Sequence, residues 1–188
     1  MAYYSQDELR ALGLKDFGER VRISRKASIY GAAGITLGSD VRIDDFCVLS
    51  AGTDGMHLGS NIHVAVFCSL IGRARIELGD FTNLSSRVSI YSSSDDYSGE
   101  HMTNPTVPSE LTGVEHARVV IGRHVIIGAG SVILPGAILE EGVAVGALSL
   151  VRGRCEAFGI YAGVPVRRLR ARKRRLLELE RQLRSRRK

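Results

Sequence analysis

LGSDVRIDDFCVL (37–49), LGSNIHVAVFCSL (58–70), LGDFTNLSSRVSI (78–90) and IGRHVIIGAGSVI (121–133) are four versions of one pattern. Each opens on an aliphatic residue followed by glycine, and an aliphatic residue then returns at every sixth position: Leu37, Ile43, Leu49; Leu58, Val64, Leu70; Leu78, Leu84, Ile90; Ile121, Ile127, Ile133. The last run continues in phase through Leu139, Val145 and Val151. The fifth residue of each hexad is small or medium-sized, as at Val41, Cys47, Cys68, Thr82 and Ser131. Neither the 3.6-residue period of a helix nor the 2-residue period of a strand fits this spacing. Three hexads fit one triangular coil of about 18 residues, with short strands as sides and corners between them. The first hexad residue points inward and stacks on its equivalent in the next coil, and glycine at the second position permits a tight corner. The expected fold is an all-β solenoid.

Working outward, the Leu/Ile starts fall at 37, 58, 78, 121 and 139, in steps of 21, 20, 43 and 18. The long step hides an insertion, IYSSSDDYSGEHMTNPTVP (90–108), which is polar and aperiodic. An excursion over about 91–116 is expected, and long irregular loops in compact domains usually carry function. At the N-terminus, Ser5 with Glu8 reads as a capping box, so residues 1–19 are expected to form a helical cap. The solenoid is expected over 20–166. RRLRARKRRLLELERQLRSRRK (167–188) lacks Gly and Pro, carries Leu169, Leu176, Leu179 or Leu177, and Leu183 as a narrow apolar stripe, and reads as a basic C-terminal α-helix.

The chain has 188 residues, 44% hydrophobic and 24% charged, enough for one domain with a small appendage. Its charge is uneven. From Arg152 onward there are 14 Lys and Arg against 3 Glu, and before it 12 against 17 acidic residues, which gives the net +6. The basic charge therefore belongs to the tail, with no interleaved aromatic residues on which bases would stack, so nucleic acid is not expected as a partner. A basic amphipathic helix does suit peripheral contact with an anionic membrane. MAYYSQDELRALG lacks the apolar stretch of a signal peptide, and a cytoplasmic location is expected. Cys47, Cys68 and Cys155 form no CxxC pair, and Cys47 and Cys68 sit at equivalent small core positions. No metal is expected.

The hexad pattern resembles the left-handed parallel β-helix of the hexapeptide-repeat acyltransferases, and the left hand is carried by that resemblance alone. It implies a homotrimer that transfers an acyl group from acetyl-CoA, with the excursion roofing a site between subunits. Acyl transfer needs a base for the acceptor and donors for the developing oxyanion. Of the five histidines, His63 is the base candidate: its place in the hexad turns it outward, with Arg42 and Asn83 at equivalent positions in neighbouring coils, rungs about 4.8 Å apart. His57 and His116 read as surface residues, and His124 as an exposed residue near a corner. Aligned on the galactoside and maltose O-acetyltransferases, Asp95 stands where their catalytic His would be. The stretch looks most like bacterial sugar acetyltransferases of polysaccharide biosynthesis, some of which acetylate a 4-amino-4,6-dideoxy sugar on a nucleotide diphosphate. Asp95 and Asp96 are then expected to orient the base or hold the amine. Ser94, Tyr97 and His101 join Arg42 and Asn83 as sugar-binding candidates. IGAGSVILPG and VGALSLV resemble the CoA half of the family, which implies Ala129 and Ala147 beside the pantetheine arm, Arg152 beside CoA, and Arg167 and Arg170 on its phosphates. The alternatives are an O-acetyltransferase and a non-catalytic β-helical scaffold. A β-helical carbonic anhydrase would need three histidines converging on a metal, and no His here stacks on another at equivalent sites.

Overall fold

The computed structural model describes residues 2–186. It is a parallel β-solenoid with three faces. The first face stacks strands at 16–17, 35–37, 56–58, 76–78, 119–121, 138–139 and 154–155. The second stacks 22–23, 42–43, 63–64, 83–84, 126–127, 144–145 and 159–162, and the third 28–30, 48–51, 69–72, 89–91, 132–133 and 150–151. Pairing is in register with the hexads, as in Leu58↔Leu78, Val64↔Leu84 and Leu70↔Ile90. The first residues of the hexads fill one continuous core: Leu37, Ile43, Leu49, Leu58, Leu84, Ile127 and their equivalents are buried.

The corners work differently from the expectation. The glycine at the second hexad position is required by closeness between coils rather than by its dihedral. A Cβ on Gly38 would stand 2.5 Å from Ser60 Oγ and 2.6 Å from the carbonyl carbon of Gly59. The left-handed residue is the fourth: Asp40 (φ 60°), Asn61 (58°), Phe81 (61°) and His124 (58°) at one corner, Phe46 (61°), Phe67 (62°), Arg87 (61°) and Leu148 (55°) at the next. Each such residue costs about 1 kcal/mol or more against an ordinary corner. The cost is offset by ladder bonds and by stacking of like side chains, as between the Phe46 and Phe67 rings at 5.0 Å.

Both ends of the column are closed. Helix α1 (Gln6–Ala11) plugs the first coil with Leu9, and its capping box is complete: Ser5 Oγ accepts from the Glu8 N–H and the Glu8 carboxylate from the Ser5 N–H. The solenoid already begins at Asp16–Phe17, inside the range expected for the cap. At the other end the expected helix from 167 is corrected. Arg167–Ala171 is a strand, antiparallel to Gly159–Ala162, and it covers the exposed edge of the last coil. Leu169 therefore lies on a strand, not on a helical stripe. Helix α2 spans Arg175–Arg186, and residues 187–188 of the expected helix lie outside the described residues.

Helix α2 is fastened along the first corner through Glu180. Its carboxylate accepts from His124 Nε2 at 2.6 Å, Arg123 Nη2 at 2.5 Å and Arg184 Nε at 2.7 Å. Burial pushes this carboxyl up, but the bonds from His124 and Arg184 outweigh it and hold Glu180 below its usual range. His124, expected on the surface, is buried: it sits at a left-handed corner, stacks on Phe81 at 4.8 Å and lies beneath α2.

Candidate active site

The excursion is tied at its base. Ser93–Ser94 pair antiparallel with Glu115–His116, Ser93 Oγ meets His116 Nδ1 at 2.8 Å, and buried Ser92 donates to the Ala74 carbonyl at 2.6 Å. This ribbon was not expected from the sequence, and it fixes where the loop leaves the solenoid.

Asp95 and Asp96 then separate. The Asp96 carboxylate accepts from the Ser98 N–H at 2.9 Å, the Ser98 hydroxyl at 2.9 Å and the His101 N–H at 3.0 Å. These bonds, the Ser98 backbone first, hold its pKa down at about 2. The His101 ring packs over Gly113, where a Cβ would stand 2.6 Å from Nδ1. Asp96 and His101 thus shape the loop. Asp95 is exposed, and its carboxylate has no hydrogen bond or ion pair with the described residues. It lines two adjoining cavities, of about 460 and 400 Å³, which share Ser94, Asp95, Tyr97 and Leu134. Val114 and Val132 wall the larger one, whereas Asp96, Glu115 and Arg152 open onto the smaller. The Arg152 guanidinium, like Asp95, has no ion pair with the described residues.

The outward ladder lies on the second face. Arg42 pairs with His63 and His63 with Asn83 in successive coils. His63 Nε2 stands 2.9 Å from Asp44 Oδ2, and Nδ1 stands 3.0 Å from Asn83 Oδ1. Arg42 Nε donates to the other Asp44 oxygen at 2.7 Å. The Asp44 side chain is 5% exposed and that of His63 38%. Burial raises the Asp44 carboxyl, but hydrogen bonds from His63 and Arg42, with the Arg42 charge, hold it below the ordinary carboxylate range. None of Arg42, His63 or Asn83 lines the cavities at Asp95. Within one chain the ladder and the excursion belong to different faces.

The description "Bacterial transferase hexapeptide (six repeats)" matches residues 118–153. Over 180 residues, covering 96% of this chain and 94% of the other, the sequence is 52% identical to a dTDP-4-amino-4,6-dideoxy-D-glucose acyltransferase of Escherichia coli. The chain belongs to the hexapeptide-repeat acyltransferases. Among solved members, AntD, an N-acyltransferase from Bacillus cereus in complex with dTDP and 3-hydroxybutyryl-CoA, superposes with a TM-score of 0.93 at 45% identity over 99% of this chain and 98% of that one. A complex of its serine variant with dTDP-4-amino-4,6-dideoxyglucose and coenzyme A gives 0.92 at 45% identity over 96% of both chains. A maltose O-acetyltransferase from Clostridium difficile 630, at 21% identity and a TM-score of 0.59 over 90% of this chain and 75% of that one, shares the fold.

The residues expected at the CoA end of this hexapeptide-repeat acyltransferase fall in three places. Ala129 and Ala147 are exposed and adjacent on one corner, where the Leu148 N–H reaches the Ala129 carbonyl at 2.9 Å. Arg152 stands at the opposite end of the third-face strand, on the Asp95 cavity. Arg167 and Arg170 are exposed on the closing strand rather than on the terminal helix, their neighbours being Ala162 and Ile160. The sequence reading passed over Asp44. Its signal was there: the second residue of the second-face hexads is Ser24, Ala65, Ser85, Gly128 or Gly146 elsewhere, and a buried carboxylate at a small-residue position needs a partner.

Proposed function

We propose that this acyltransferase moves the acyl group of acetyl-CoA to the 4-amino group of a nucleotide-linked 4-amino-4,6-dideoxy sugar. The observation that carries this is Asp95, an exposed carboxylate without a partner among the described residues, on a loop fastened at its base and shaped by Asp96. A carboxylate in that state suits an amine better than a hydroxyl, since it can accept from the nitrogen in either protonation state. The names of the relatives point the same way: one acts on dTDP-4-amino-4,6-dideoxy-D-glucose, and AntD is an N-acyltransferase crystallised with that sugar nucleotide and CoA. AntD was also solved as variants of a serine and of an aspartate ten residues after it. In this chain Ser85 with Asp95 and Ser86 with Asp96 have that spacing, and of the two Asp95 is the one whose carboxylate has no partner among the described residues.

In the reaction the neutral amine attacks the thioester carbonyl, a C–N bond forms, the C–S bond breaks, and CoA leaves as the thiol once the nitrogen has given up its proton. Asp95 holds and orients the amine, with Ser94 and Tyr97 beside it. His63 takes the proton through Nδ1 once that nitrogen has exchanged Asn83 Oδ1 for the amine, while Nε2–H donates to Asp44, which fixes the ring from the other side. Since His63 and Asp95 lie on different faces of one chain, the site is completed by a second copy, as three sites in a homotrimer. Ala129 and Ala147 receive the pantetheine arm, and Arg167 and Arg170 its phosphates. The reaction is set in the cytoplasm, in the assembly of O-antigen or capsule sugars.

The test is release of free CoA thiol from acetyl-CoA with paired amino and hydroxy nucleotide sugars. Release with the 4-amino sugar supports the proposal. Release with the hydroxy sugar alone makes the protein an O-acetyltransferase and overturns it, and absence of CoA binding leaves a scaffold.

A further inference from the structure

On the third face the outward positions run Ser28, Val48, Ser69, Ser89, Val132 and Leu150 in register, and the two at the coils beside the excursion are both apolar. Two residues further along the chain stand Tyr91, Leu134 and Arg152. A single outward apolar residue is ordinary on a protein surface; what is informative is a contiguous apolar wall beside a polar cavity. Here Val132 and Leu134 are half-buried, and with Val114 from the returning loop they wall the larger cavity at Asp95. Leu134 also lines the smaller cavity, together with Asp95 and Arg152.

Resting on the function proposed above, we infer that Leu134, backed by Val114, is the residue that selects a 6-deoxy sugar, by seating the methyl group on C5. The chemistry of the acceptor sets the geometry. The methyl-bearing carbon adjoins the amine-bearing carbon, so the wall next to the carboxylate that holds the amine meets the methyl. The anomeric phosphate lies across the ring, where Arg152 supplies a cation with no ion-pair partner among the described residues. The acyl donor approaches from elsewhere: Ala129 and Ala147 precede the strands Val132–Ile133 and Leu150–Val151, whereas Leu134 and Arg152 follow them. A 6-hydroxyl against Leu134 and Val114 would lose its water without gaining a partner among these side chains. A hydrophobic seat of this kind discriminates by about ten- to a hundredfold.

The experiment compares kcat/KM for a nucleotide-linked 4-amino-4,6-dideoxyglucose with that for its 4-amino-4-deoxy counterpart, which keeps the 6-hydroxyl. The unaltered enzyme is expected to favour the 6-deoxy sugar by about ten- to a hundredfold. Leu134→Thr is expected to narrow that ratio about tenfold, while Leu134→Met preserves it and the KM for acyl-CoA stays unchanged in both. Equal kcat/KM for the two sugars in the unaltered enzyme overturns the inference without any variant, and so leaves the proposed acyl transfer standing. A Leu134→Thr enzyme with an unchanged sugar ratio but an altered preference among acetyl-, butyryl- and 3-hydroxybutyryl-CoA assigns the wall to the acyl chain and also overturns it. Inactivity toward both amino sugars fails the functional proposal itself.

Discussion

Asp44 Oδ2 lies 2.9 Å from His63 Nε2, one coil away, and its other oxygen is held by Arg42. This makes the outward ladder a fixed dyad rather than a row of independent polar side chains, and it sets the first prediction. His63→Ala is expected to lower turnover by about a hundred- to ten-thousandfold while CoA still binds. Asp44→Asn, a positioning change, is expected to cost about ten- to a hundredfold and to move the pH profile of kcat/KM. Steady-state rates from pH 5.5 to 9 check both. A flat profile with unchanged rates removes the dyad from the mechanism.

The two aspartates of the loop are expected to fail in different ways. Asp95→Asn should abolish most acyl transfer with the melting temperature and loop intact. Asp96→Ala removes the acceptor of two backbone N–H groups, so it should expose residues 97–112 to limited proteolysis and lower activity indirectly. Equal proteolysis in both variants would contradict the separation.

Glu180 gives a prediction for pH. Its folded-state carboxyl is depressed, so the stabilisation it provides is fully present above the ordinary Glu range near 4.5 and disappears as pH falls through the lower folded value. Helix α2 is therefore expected to stay docked at neutral pH and to loosen on acidification below about 4.5. Glu180→Gln should destabilise by about 1–3 kcal/mol at pH 7 and lose most of that acid sensitivity, as read by denaturation at pH 7 and pH 4.

The corner carrying Ala129 and Ala147 is exposed and small, as a groove for the pantetheine arm requires. Ala147→Phe is expected to raise the KM for acyl-CoA about tenfold or more, with the KM for the sugar unchanged. If thermal protection by added CoA survives the substitution, the arm does not run along this corner.

The solenoid was legible because its core residue recurs every sixth position in each coil, a period no helix or flat sheet produces. The reason for the glycines was not legible: Gly38 looks like a turn glycine, and only the stacked Ser60 shows that contact, not dihedral freedom, excludes a side chain there. The strand Arg167–Ala171 was read as helix because RRLRA has no strand pattern. Its conformation is imposed by the open edge it covers, a tertiary demand. His124 was misplaced for a similar reason, since its burial depends on Glu180, 56 residues away. The division between Asp95 and Asp96 was partly visible: a serine two residues after Asp96 favours an Asx turn, and Asp95 has Tyr97 there instead.

The closed ends of the column carry one more consequence. A parallel β-solenoid is a template for its own continuation, since its terminal coil presents a full row of backbone donors and acceptors to any chain of the same pitch. Here one terminus is plugged by Leu9 and its helix, and the other is sealed by a strand running the wrong way to be extended in parallel. Growth along the axis is blocked, so the homotrimer proposed above requires side-by-side association, through the lateral surfaces that carry Asp95 and His63.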